Sequence, residues 1–85
     1  MAITILTLTD GHLSLEFDII DLPNVTAAIS KHYGVPSVRR YPALAVYAFG
    51  GCSFTFQNEW DDPCLISSSS DGDEILKKLC AELNG

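Results

Sequence analysis

No stretch of this chain approaches the ~20 consecutive apolar residues that a membrane span requires. No basic segment precedes an apolar core at its start. Residues 3–8 alternate isoleucine and leucine with threonine, which reads as a strand and not as a secretory leader. Together these absences lead us to expect a cytoplasmic protein with no membrane partner. Basic residues are scarce: five Lys and Arg stand against eleven Asp and Glu, for a net charge of −6. Such a surface repels nucleic acid and anionic lipid and attracts basic partners. No RNP, KH or helix-turn-helix pattern is present either, so nucleic acid is not an expected partner.

Cysteine is also thin. Cys52, Cys64 and Cys80 are odd in number and far apart, with no C-x-x-C and no histidine beside them. Neither a disulfide scaffold nor a zinc site follows. The three read as small, buried, reduced hydrophobes, and no metal or other cofactor is expected.

What remains is the composition of a folded domain, 47% apolar and 19% charged. Eighty-five residues make one domain, residues 1–85. A chain this short buries only about 60–65% of the surface its unfolded form exposes, and its stability is expected to be about 4–8 kcal/mol.

The clearest pattern lies in the last fifteen residues. Ile75, Leu76, Leu79, Cys80 and Leu83 share one stripe of a helix, with Lys77, Lys78 and Glu82 facing away. Asp71, Asp73 and Glu74 place negative charge at its start, where unpaired N–H groups favour it. Asn84 and Gly85 can end it. A second, shorter helix is expected after Asp21 as N-cap, with Leu22 and Pro23 in its first turn. Its stripe is Val25, Ala28, Ile29 and His32 or Tyr33, and Gly34 and Pro36 stop it.

Strands fill the rest. Residues 3–9 and 12–20 predict a hairpin closed by a two-residue Asp10-Gly11 turn. Leu13, Leu15, Phe17 and Ile19 face one way, and His12, Ser14, Glu16 and Asp18 the other. Residues 35–43 read as an irregular connection. Residues 44–49 and 52–57 form a second hairpin around Gly50-Gly51, with Phe54 and Phe56 on one face and Ser53, Thr55 and Gln57 on the other. Whether Tyr47 and Phe49 or Val46 and Ala48 point inward stays open. Residues 58–63 read as a loop and 64–67 as a short strand. The order β-β-α-β-β-(β)-α predicts an α+β fold, a two-layer sandwich. Its antiparallel sheet has four or five strands, and both helices lie on one face.

No residue set reads as catalytic. Glu59, Trp60, Asp61 and Asp62 form an acidic loop without calcium-loop spacing. Tryptophan is enriched among binding hot spots, so this loop is a protein-interaction candidate. Tyr47 and Phe49 join it if they lie on the open sheet face. His32, Arg39 and Arg40, with Tyr33 and Tyr41 nearby, could hold an anion. Asp71-Gly72-Asp73 reads as a helix cap. Residues 67–70 make no nucleophile elbow. Carboxylates around Cys64 disfavour a thiolate.

The expected function is therefore that of a small acidic interaction module without catalytic activity, of the inhibitor, neutralising or accessory-subunit type. Its partner would be another protein, basic in character, or itself, with residues 3–9 as a candidate self-pairing edge. The alternative is a small-anion or nucleotide ligand-binding domain using the connection between the first helix and the third strand.

Overall fold

The computed structural model describes residues 3–59 and 62–85, with the backbone alone at Glu59. Two helices and six strands form an α+β fold. Strand β1 (Thr4–Thr7) pairs with β2 (Leu13–Glu16), and the Leu8–His12 pair beyond them encloses a three-residue loop, not the expected two. Leu8 N–H donates to the His12 carbonyl at 2.8 Å, and Gly11 N–H donates to the Leu8 carbonyl at 3.0 Å. Gly11 closes this loop at φ +88°, a conformation that favours glycine.

Strand β2 is shorter than its alternation suggests. Leu13, Leu15 and Phe17 are buried, but Ile19 is exposed. A short 3-10 helix (Ile19–Asp21) intervenes, held by Asp21 N–H donating to the Asp18 carbonyl at 2.9 Å. Helix α1 (Leu22–Tyr33) follows directly. Asp21 sits at its N-cap position but makes no side-chain capping bond, because the 3-10 turn has already brought its backbone into a helical conformation. Val25, Ala28 and Ile29 are buried as the stripe predicts, and Gly34 ends the helix.

Residues 37–40 correct the sequence reading. They form β3 (Ser37–Arg40), an edge strand paired with β4 (Ala45–Phe49). All four are exposed, so no burial alternation marked them, and the flanking prolines suit an edge. The Gly50-Gly51 turn, at φ +61° and +77°, leads into β5 (Cys52–Glu59). β5 then pairs with β6 (Asp62–Ser67) up to Glu59–Asp62, where an open loop was expected.

The sheet order is β1-β2-β6-β5-β4-β3, antiparallel throughout. The chain leaves β2, crosses by α1 to the far edge, and returns strand by strand until β6 slots beside β2. Six strands therefore replace the four or five expected.

Helix α2 (Ser70–Asn84) crosses β1, β2, β5 and β6 and packs against α1. Its N-cap is Ser69, whose hydroxyl accepts from Gly72 N–H at 3.0 Å. Ile75, Leu76 and Leu79 join Leu15, Phe54 and Leu65 in the core. Tyr33 of α1 lies 5.7 Å from the Phe49 ring, so both helices cover the same sheet face. At the other end of α2, Asn84 donates to the Ile3 carbonyl at 2.6 Å and ties down the chain before β1. Among the described residues, no helix is long and apolar enough to cross a membrane.

Candidate functional site

Strand β4 settles the question left open by its sequence. Ala45, Tyr47 and Phe49 face the helices, and Tyr47 and Phe49 are each only 6% exposed. Phe49 stacks on Phe54 at 4.4 Å, and Tyr47 lies 5.4 Å from Phe56. Aromatic area of this size is best buried between sheet and helices, and Val46 and Ala48 take the outer face instead. The aromatic spot on the open sheet face therefore does not exist, and Tyr47 and Phe49 are core residues. Trp60 and Asp61 lie outside the described residues, as does the Glu59 side chain. Asp62 is exposed at the start of β6.

The three anion-binding candidates do not share one site. His32 sits at the seam of the two helices, where its ring and Lys31 both reach Glu82 of α2. The His32 contact, with Lys31 adding to it, holds the Glu82 carboxyl below its ordinary pKa. A hollow of about 280 Å³ lies there, lined by His32, Tyr33, Lys78, Leu79 and Glu82. Arg39 and Arg40 are consecutive on a strand and so point to opposite faces. Arg39 lines a hollow of about 260 Å³ on the open face with Ser37, Tyr41, Val46, Ala48 and Ser53. Arg40 lines another of about 220 Å³ on the helix face, with Tyr41, Leu44, Phe56 and Asn58 among its neighbours.

The open face carries the polar residues expected of it. Ser14, Glu16, Thr55 and Gln57 lie there in register with Cys64 and Ile66. Ser14 is buried among them and donates to the Glu16 carboxylate. Burial pushes the Cys64 thiol up, and the charges of Glu16 and Asp62 add to that. A protonated thiol is a poor nucleophile.

His12, expected on that face, turns away from it. Its Nδ1 lies 2.9 Å from Asp73 Oδ2 in the first turn of α2, and Asp73 Oδ1 accepts from Leu13 N–H at 3.0 Å. The hydrogen bond to Asp73 raises the His12 pKa from its ordinary 6.5, against partial desolvation. Desolvation opposes ionisation of Asp73, but its bonds from His12 and Leu13 outweigh that and hold it below its ordinary 3.8. The His12 contribution to stability is complete below 6.5 and fades as pH rises through the higher folded value. The Asp73 contribution is complete above 3.8 and fades as pH falls through the lower folded value. Wild type should therefore exceed His12→Asn in melting temperature most clearly at about pH 5. Melting curves from acid to mildly alkaline pH check this, and a flat difference would dissolve the link.

The strongest feature of the surface is the β3 edge. Tyr41 N–H donates to the Leu44 carbonyl at 2.8 Å, which makes Tyr41–Leu44 a hydrogen-bonded pair. Such pairs alternate along an antiparallel ladder, so Ser37 and Arg39 also bond to β4. Val38 and Arg40 then present their N–H and C=O groups outward from the sheet. Pro36 and Pro42 stand at the next outward positions and offer no N–H. The open edge is therefore two residues of ladder long. It is also apolar: Val35 is 89% exposed, Val38 38% and Tyr41 49%, half of the large exposed hydrophobic residues among the described ones. Sequence reasoning found the arginines but missed Val38 and the edge itself. The signal for both was the proline bracket around Ser-Val-Arg-Arg.

The opposite edge, β1, is less available. By the same alternation from Leu8–His12, Ile5 and Thr7 point outward, but Ile5 packs against the core and the neighbouring Ile3 carbonyl is taken by Asn84. No family model matches the chain, and no curated protein or solved structure is significantly similar to it.

Proposed function

We propose that this protein is a small interaction module without catalytic activity of its own, which binds another protein chain by strand addition at β3. The observation that carries the reading is the open ladder of Val38 and Arg40. An added strand completes up to four backbone hydrogen bonds there, each worth about 0.5–1.5 kcal/mol net. Tyr41 and the two arginines are residue types enriched at protein interfaces, and they flank the ladder on both faces. The prolines limit the edge to a short segment, which guards against indefinite sheet growth. A cytoplasmic setting belongs to the same proposal, since Cys52, Cys64 and Cys80 remain separate thiols. Self-association through β1 is the weaker variant, because α2 covers part of that edge.

The reading is tested by Val38→Pro, which removes one outward N–H and no bond within the sheet. Thr7→Pro does the same at the β1 edge and serves as control. Affinity capture at native abundance, with complex mass from light scattering, is expected to give a stoichiometric partner for wild type and Thr7→Pro. The folded Val38→Pro variant should lose it. Retention by Val38→Pro, or a monomer with no partner at all, would reject strand addition at β3.

A further inference from the structure

The charges of this chain are segregated. Residues 22–58 contain no Asp or Glu and hold Lys31, Arg39 and Arg40, whereas the remainder holds all eleven acids and two lysines. The sheet order converts that sequence pattern into a spatial one. β3 and β4 come wholly from the acid-free segment and occupy one edge, while β1, β2 and β6 fill the other half. A protein of net charge −6 thus has a positive edge, and both of its arginines stand on the strand that is open there.

We infer that the strand added at β3 is acidic, carries two adjacent carboxylate side chains, and belongs to another protein rather than to a second copy of this chain. The inference rests on the strand-addition reading above. Arg39 points to the open face and Arg40 to the helix face, and both are exposed. Two consecutive residues of an incoming strand also point to opposite faces, so an Asp or Glu pair meets one arginine on each side. Arginine suits this role because its planar fork can bind a carboxylate through two donors. The ladder accepts a segment of about five residues before Pro36 and Pro42 end it.

A second copy fits poorly. When β3 pairs antiparallel with itself, outward residues must pair with outward residues. The register with the greatest overlap then sets Val38 against Arg40 and Arg39 against Arg39, a direct like-charge contact. Strand β1 of another copy brings Thr-Ile-Leu-Thr and no carboxylate.

Three capped peptides test the chemistry: Thr-Val-Glu-Glu-Val-Thr, its Gln-Gln form and its Lys-Lys form. Binding is read by fluorescence anisotropy at low and high salt, and the site by hydrogen exchange at the Val38 and Arg40 amides. The acidic peptide is expected to bind about tenfold more tightly than the glutamine form, with the advantage lost at high salt. It should protect both amides. The Arg39→Glu/Arg40→Glu variant, altered only at exposed side chains, should prefer the lysine peptide, and this reversal also shows that the variant is folded. Equal binding of the Glu and Gln peptides with the amides protected overturns the acidic partner and leaves the edge reading standing. Absence of protection by all three peptides overturns both. Light scattering of wild type alone supplies the last arm: concentration-dependent growth that Arg39→Glu/Arg40→Glu abolishes would make a second copy the occupant, and the inference would fail.

Discussion

Replacing Phe54 with alanine is expected to remove about 3–5 kcal/mol of stability, the usual cost of deleting a fully packed phenylalanine. Phe54 is 1% exposed on β5 and stacks on Phe49 at 4.4 Å with the rings 17° apart. It faces the first turn of α2, with its ring edge 3.3 Å from where a side chain on Gly72 would begin. Alanine leaves a void between sheet and helix that neither neighbour can fill without moving. Strand pairing fixes β5 on both sides, and Ser69 fixes the start of α2. A domain of this size has about 4–8 kcal/mol in total, so the loss takes much of it. The melting temperature should fall by on the order of 20 °C. Ile20→Ala, at a residue 80% exposed, should change it little. Urea unfolding of the two variants checks both values. A cost below about 1 kcal/mol for Phe54→Ala would contradict the packing described around the Phe49–Phe54 stack.

The second large effect is expected at Gly72. In most helices alanine in place of glycine stabilises, by up to about 1 kcal/mol. Here the added methyl would stand 2.6 Å from the Ser67 hydroxyl and 3.1 Å from the Ser69 hydroxyl. Neither oxygen is free to step aside. Ser67 is 2% exposed and donates to the Ser69 carbonyl at 2.9 Å, while Ser69 caps the helix through Gly72 N–H. Gly72→Ala should therefore destabilise, by about 1–3 kcal/mol net, against its helix propensity. The sign is the informative part. In a Ser67→Ala background the closest contact disappears, so the same substitution should cost less, and a double-mutant cycle measures the difference. Additive single-mutant effects would place the strain elsewhere.

How far the chain could be read without its structure depends on the range of the forces involved. Helix α2 runs over Ser70–Asn84, as its apolar spacing requires, because a helix is closed by bonds four residues apart. The Gly50-Gly51 turn and the inward pair Phe54 and Phe56 follow from turn chemistry and from alternation over a few residues. Strand β2 is correct where its neighbours pair with it and wrong at Ile19, where the crossover to α1 begins. β3 left no trace in hydropathy, because an edge strand with all four residues exposed buries nothing that alternates. Within it Arg39 and Arg40 were legible as a basic pair, but grouping them with His32 assumed one pocket where the fold places the three in separate hollows.

Composition and periodicity thus determined the α+β class, both helices, the inward face of β2 and β5, and the overall acidic character. Each of these rests on contacts between residues near in sequence or on a simple sum of charges. Strand order, the burial of Tyr47 and Phe49, and the existence of an open edge were decided only when β6 paired with β2 and left β3 outermost. Those outcomes depend on which distant strands share hydrogen bonds; the proline bracket around residues 37–40 hints at an edge, but no local pattern fixes the strand order. The same choice turned an acid-free run of sequence into a positive edge, which is why the strand we propose to add there is acidic although the net charge of the chain suggests a basic partner.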